Sequence, residues 1–200
     1  MAYNDSAVFL PGRGAVLVGD AGAERPTDSA IRAWIADGAV GTLTAGTDTY
    51  NPMGYTSLDD LPNFGAETEG GETRGAWENP ALRTTATKVT DTVIVNPIQW
   101  SPTPMTHRFG PGVVDDVEGV FEVPAVYTAS EVSLLVIFID GNDPLSFHIP
   151  RVASSPEGGI EPASDTFMSL PVKYTVLVIT GRPKMSIITR TLVAPVDPGE

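Results

Sequence analysis

The sequence has no cysteine, no apolar run of membrane length and few basic residues. Because cysteine is absent, disulfides and thiolate metal sites are excluded, and the composition suits assembly in a reducing cytoplasm. The longest apolar run, Val132–Ile139, is much shorter than the roughly 20 residues of a membrane-spanning helix and fits a buried strand. The opening MAYNDSAVFLPGRG lacks the basic and apolar regions of a signal peptide. We therefore expect no membrane partner.

The shortage of basic residues leaves the chain strongly acidic. Lys and Arg number 12 against 25 Asp and Glu, for a net charge of −13. Such a surface repels nucleic acid, because phosphate binding requires cations that displace condensed counterions; acidity that only maintains solubility is the alternative. The charge is also uneven, since Arg151 is the only base in 111–165 and no acid occurs in 166–196. These opposite patches could pair between copies or within one subunit.

Residues that could carry catalysis or bind a cofactor are scattered. His107 and His148 are far apart and lack an adjacent carboxylate, which favours a polar surface or helix-end role over a metal site. Asp140–Asp143 has the residue types of a calcium loop, but its misplaced glycine is more typical of a hairpin turn. The glycines of 12–19 lack the flanking strand and helix of a phosphate loop. The sequence thus predicts no enzyme, cofactor or metal.

Two short helices are predicted among many strands. The segment 27–38 is predicted as a helix with Ile31, Trp34 and Ile35 on one apolar face, and a second helix is predicted at 101–110. Most other segments are rich in Thr and Val between Gly and Pro turns, which is typical of short strands. We predict a mainly β fold of two packed antiparallel sheets, a sandwich or partial barrel, with one or two short flanking helices and extended arms.

Strands of the C-terminal half can be placed more closely. The alternation is imperfect in the first of them, and turns rich in Gly and Pro separate the rest. The predictions are one strand at 113–123, two strands at 127–139 and 145–152 joined by the turn at 140–143, and a final hairpin of 167–180 and 185–193.

The centre of the chain is the least regular part. We divide the chain into an N-terminal arm with a short helix at 1–45, a β domain at 46–193 and a C-terminal tail at 194–200. Within the β domain, 59–78 contains six acidic residues, four glycines and the single base Arg74. A connection this long without periodicity is usually functional or disordered. It predicts either a mobile, solvated loop or an arm that becomes ordered only against another copy.

Several motifs occur in one order along most of the chain. They are LPGRGAVLVG at 10–19, GYTSL at 54–58, LPNFG at 61–65, GETRGAWENPALR at 71–83, IQW at 98–100 and GRPK at 181–184. In this order they resemble the major tail tube subunits of phages with long non-contractile tails (siphoviruses), especially phages that infect actinobacteria. No catalytic motif belongs to that family.

The resemblance implies a structural virion protein of the phage tail. Members of the family form hexameric rings that stack into a tube, a loop between strands reaches the adjacent ring, and the terminal segments help lock the rings. By this likeness 58–80 is the inter-ring loop. The expected partners are further copies of the chain, a tape-measure protein, tail terminator or baseplate proteins, and double-stranded DNA that passes without specific binding. Assembly is expected in the cytoplasm of the host bacterium.

Candidate contact residues follow from the same likeness. Phe64 and Trp77 are the candidate anchors, because buried aromatics often dominate interface energy. The full set of candidates for contacts between subunits and rings is Asp59, Asp60, Phe64, Glu72, Arg74, Trp77 and Arg83.

An acidic wall would suit a conduit for DNA ejection, because carboxylates repel phosphates over roughly a Debye length, about 8 Å at physiological salt. Glu118, Glu122 and Glu131 are the candidates for facing the lumen, although the same residues could simply face solvent outside. The alternative function is a β-sandwich capsid decoration or adhesion module, which would be a stable monomer or small oligomer.

Overall fold

One antiparallel sheet forms the centre of the molecule. The structure is a computed structural model that describes residues 8–84, 86–189 and 192. The helices of this part are α1 (Asp28–Ala36) and α2 (Pro102–Phe109). Its strands are β1 (Arg13–Asp20), β2 (Leu43–Ala45), β3 (Asp48–Pro52), β4 (Asn63–Glu69), β5 (Thr73–Ala76), β6 (Asn79–Thr84), β7 (Lys88–Val95), β8 (Val113–Asp115), β9 (Val120–Glu122), β10 (Glu131–Asp140), β11 (Asp143–Pro156), β12 (Val172–Val176) and β13 (Ser186–Thr189).

The nine strands of this sheet run in the order β2-β3-β1-β10-β11-β12-β7-β4, and β13 is added beside β11. The two small sheets are the hairpins β5–β6 and β8–β9. Every strand pair is antiparallel. The predicted mainly β class with two short helices is therefore confirmed.

The central strands β1 and β10 are buried on both faces, because their alternating side chains enter two cores. Leu17 and Leu135 point to a core that α1 covers with its apolar face. Val16 and Leu134 point to the other core, to which side chains of β7 and β12 also contribute. Since β7 and β12 do not pair with β1, the sheet must fold over itself, and this gives two packed layers without a closed barrel.

Helix α1 forms as predicted. The Thr27 side chain accepts a hydrogen bond from the Ala30 amide and caps the first turn. Ile31, Trp34 and Ile35 are its buried residues. Both α1 and β1 lie in the segment predicted as the N-terminal arm, and they are part of the core.

The turn predicted at 140–143 is confirmed, because Asp140 and Asp143 pair at the end of the β10–β11 hairpin. The β10–β11 register shifts between Val132 and Leu134, where β11 has one extra residue, and Ser133 at this point is fully buried. Its hydroxyl donates to the Ile149 carbonyl at 3.1 Å and lies 3.0 Å from the Tyr50 hydroxyl.

Three predictions of strand organisation were wrong. The predicted single strand 113–123 is the β8–β9 hairpin, because Asp116–Gly119 forms a turn. The predicted final hairpin does not form, because β12 and β13 each pair with a different half of β11. The irregular loop predicted at 59–78 contains β4 and β5. The predicted C-terminal tail lies outside the described residues.

Candidate assembly surface

The dominant surface feature is a two-stranded arm, which we define as residues 63–95 without position 85. Its inner part is β4 paired with β7 over Asn63–Glu69, and its outer part is the β5–β6 hairpin. β12 pairs with β7 only over Thr92–Val95, so farther out the strands of the arm pair only with each other. At about 3.3 Å per residue, the chain from Asn63 to Trp77 can extend about 45 Å.

The inner part of the arm is fixed to its own subunit. Phe64 packs against Phe147 with ring centroids 4.5 Å apart and against Phe138 at 6.4 Å. Lys173 Nζ lies 2.9 Å from Glu67 Oε1, and this partner lowers the pKa of the Glu67 carboxyl. Phe64, predicted as an anchor between subunits, is therefore placed in the packing of its own subunit.

The outer part of the arm projects into solvent. Every side chain described in β5 is exposed, and the Trp77 side chain at the tip is 99% exposed. Gly70 and Gly71 separate the two parts with φ values of 87° and 78°, which other residues rarely adopt. A tryptophan this exposed carries a large apolar surface that a partner could bury.

Two of the predicted contact residues face each other on the outer arm. Arg74 and Arg83 are directly opposite in the β5–β6 register. Like charges directly opposite on a strand pair destabilise it. A carboxylate from outside the hairpin would relieve this repulsion. The predicted candidate Glu72 is exposed just before β5.

A groove lies at the open edge of β1, and we call it the β1 groove. On the side away from β10, β1 pairs with β3 only at Leu17 and Val18, so the stretch 13–15 is an open sheet edge in the described structure. The groove has a volume of about 620 Å³. Its apolar lining residues include Val40, Tyr55, Leu58 and Leu61, and among the described residues Arg13 is the only charged one that lines it.

One wall of the β1 groove is the short loop 55–62. We call its two exposed acidic residues, Asp59 and Asp60, the acidic crest. The position of the loop is fixed by hydrogen bonds from Ser57 N to Asn96 O at 2.9 Å and from Ile98 N to Tyr55 O at 2.8 Å. The predicted contact residues Asp59 and Asp60 are exposed in this loop, between the lining residues Leu58 and Leu61.

The predicted lumen residues fall on two different parts of the fold. Glu118 is in the turn of the β8–β9 hairpin, where its amide donates to Asp115 Oδ1 at 3.0 Å, and Glu122 ends β9. Glu131 begins β10 and pairs with Arg151 Nη2 at 2.6 Å. Glu118 and Glu122 are exposed.

The described basic residues of 166–189 are used within the subunit, and Arg190 lies outside the described residues. Lys173 pairs with Glu67, Lys184 pairs with Asp91, and Arg182 donates to the Gly22 carbonyl. The partners of the two lysines are acids of the arm rather than acids of 111–165. Sequence reasoning missed this arrangement because the pairs connect segments that are distant along the chain.

Both histidines are buried, so the predicted surface role was wrong, although His107 does lie in the last turn of α2. The His107 side chain packs against the Tyr174 ring, and burial lowers its pKa to about 4. Burial likewise lowers the pKa of His148 to about 4. In the described residues, no group of three or more acidic, histidine or cysteine side chains could hold a metal ion. Nor is any helix there long and apolar enough to cross a membrane.

Helix α2 is held by an arginine that the sequence analysis did not single out. The buried Arg108 guanidinium donates to the backbone carbonyls of Glu157, Gly158 and Pro171, each at 2.7 Å. Desolvation lowers the pKa of this guanidinium. Because all of these acceptors belong to the loop between β11 and β12, Arg108 positions that loop.

The arm and the β1 groove are the candidate assembly surface of the described residues. The sequence matches the family described as phage tail tube protein over residues 1–198. The chain belongs to the phage tail tube protein family. It is 31% identical over 178 residues to a major tail protein, Gp23, of Mycobacterium phage D29, covering 88% of each chain. The identity to the corresponding protein of Mycobacterium phage L5 is 32%, with the same coverage.

Membership in the tail tube protein family confirms the resemblance drawn from the motifs. It makes the chain a structural component of the phage tail in the virion, and it implies self-assembly into a tube. The two relatives are both named major tail proteins of mycobacteriophages.

Proposed function

We propose that the subunit forms hexameric rings, that the rings stack into the tail tube, and that the tube is an acidic conduit for DNA ejection. The observation that carries the stacking is the arm, whose outer part projects with Trp77 almost fully exposed. An exposed two-stranded hairpin with no apolar face of its own gains stability only by packing against another surface. The open edge strands at β2 and β4 would pair with neighbours around the ring.

In this assembly Asp59, Asp60, Glu72, Arg74, Trp77 and Arg83 make contacts between subunits or rings, while Phe64 holds the base of the arm. Glu118, Glu122 and Glu131 face the lumen and keep passing DNA from binding. The further partners are a tape-measure protein and tail terminator or baseplate proteins, and assembly takes place in the cytoplasm of the host bacterium.

Electron microscopy of the purified protein over a range of concentrations tests the proposal. We expect rings and then tubes to appear as concentration rises, with sixfold symmetry in end views. A particle that stays monomeric at every concentration would contradict the proposal and would favour the decoration or adhesion module instead.

A further inference from the structure

We propose that the β1 groove of one copy receives the arm tip of a second copy, with Trp77 between its apolar walls and Glu78 paired with Arg13. This inference rests on the proposed function and adds the surface on which the arm docks. The occupant is a second copy of this chain, because the tip is not used by its own subunit.

The first step of the argument is that the tip does not fill its own groove. Trp77 is 99% exposed, and the groove is open. The arm also begins at Asn63, immediately after the lining residue Pro62. Since the arm can extend about 45 Å from that point, its tip is carried away from the groove beside its base.

The second step is that groove and tip match in shape and polarity. The cavity of about 620 Å³ is within the range of pockets that bury a whole ligand, about 300–1,000 Å³. Its apolar side chains include Val40, Tyr55 and Leu58, which are all more than two-thirds exposed without a partner. Trp77 is the large apolar side chain at the arm tip, and the open edge at 13–15 offers backbone groups to the incoming hairpin.

The third step is charge. Arg13, the only charged lining residue, makes no ion pair within the described structure. Glu78 follows Trp77 directly and is exposed. Farther back on the arm, Arg74 and Arg83 repel each other across the hairpin. Arg74 lies about 10 Å from Trp77 along an extended chain.

The acidic crest of the groove wall complements that pair of arginines. Asp59 and Asp60 are exposed on the loop between Leu58 and Leu61. An arm that enters the groove with Trp77 leading would bring Arg74 and Arg83 to this crest. Glu78 would then face Arg13, while the two arginines would face the acidic crest. Only one direction of insertion gives both of these matches.

Cysteine crosslinking tests the contact directly, because the natural chain has no thiol that could compete. The test pair is Ala76→Cys on the arm with Val40→Cys in the groove. The matched control pair is Ala76→Cys with Val117→Cys, since Val117 is a 91% exposed apolar residue on the other hairpin. Assembled particles are treated with a short bismaleimide, and denaturing gels report covalent oligomers.

We expect the Val40 pair to give a ladder of covalent oligomers and the Val117 pair to give none above the Ala76→Cys single variant. If tubes are visible by microscopy but the ladder comes from the Val117 pair, or from neither pair, the groove is not the docking site and the proposed function still stands. If the natural protein forms no tubes, the proposed function itself fails.

Charge reversal gives an independent test with variants that keep the fold, since both side chains are exposed. Arg13→Glu and Glu78→Arg should each raise the concentration needed for tubes by about five- to tenfold. The double variant should return toward the natural value. Singles that assemble normally, or a double variant without recovery, would overturn the pairing.

Discussion

At the scale of single residues, His107 shows how burial creates a response to acid. Its side chain is only 4% exposed, and its Nδ1 has no hydrogen-bond partner within the described residues. The charged form is therefore not compensated inside the protein, and the pKa in the folded state is about 4, well below the value of about 6.5 in an unfolded chain.

This depressed pKa predicts a loss of stability in acid. The unfolded state binds the proton more readily, so the contribution of His107 is complete above pH 6.5 and declines as pH falls toward 4. Between pH 7 and pH 4.5 the loss is about 2.5 kcal/mol. His107→Leu should reduce this pH dependence in urea unfolding of the unassembled subunit. An unchanged difference between the two pH values would show that His107 titrates normally.

The sequence predicted such residues poorly, because neither histidine carries a local sign of burial. His107 lies near the end of the short helix PTPMTHRF, and the ring that it packs against, Tyr174, is distant along the chain. By contrast, the stripe Ile31, Trp34 and Ile35 is a local signal, and it correctly predicted the buried face of α1.

At the scale of elements, the arm carries two aromatic residues, Phe64 and Trp77, that were both predicted as anchors between subunits. Phe64 is half-buried against Phe147 and Phe138, whereas Trp77 is exposed at the far end. Truncation of Phe64 should therefore lower the stability of the subunit, whereas truncation of Trp77 should weaken assembly.

Phe64→Ala should lower the free energy of unfolding of the isolated subunit by about 2–3 kcal/mol, because it leaves a cavity beside two rings. Trp77→Ala should change that stability by less than about 0.5 kcal/mol and should instead raise the concentration needed for tubes by about tenfold or more. Chemical denaturation and electron microscopy separate the two effects. Equal destabilisation by both variants would contradict this division.

The arm escaped the sequence analysis for a physical reason. Beyond Phe64, the strands β4 and β5 are exposed on both faces, so they show no apolar alternation, and their composition of Thr, Glu and Gly resembles that of a solvated loop. The turn at 140–143 was predictable because two strongly apolar strands flank it. The β1 groove was not predictable, since it is formed by segments that only the fold brings together.

At the scale of the whole molecule, the proposed lumen residues differ in how far their charges are balanced within the subunit. Glu118 and Glu122 are exposed, but the charge of Glu131 is partly balanced by Arg151 at 2.6 Å. The three proposed lumen residues should therefore not contribute equally to repulsion of DNA.

Substitution of these three glutamates tests the expected difference between them. Phages that carry Glu118→Lys and Glu122→Lys should assemble tubes but eject DNA poorly, because the new cations bind phosphate. Glu131→Gln should have a smaller effect, since it removes a charge that is already paired. Ejection assays at low and high salt provide the measurement, and the defect should weaken as salt screens the attraction. Normal ejection by the double variant would place these residues away from the channel.

Docking of the arm tip in the β1 groove of another copy, as proposed, would also give a growing assembly a direction. Each added ring would cover one kind of free surface and expose the same kind again, so the two ends of a filament would not be equivalent. One end would display exposed Trp77 side chains, and the other would display unoccupied β1 grooves. A protein that caps growth and a protein that starts it could therefore recognise their proper ends by chemistry alone.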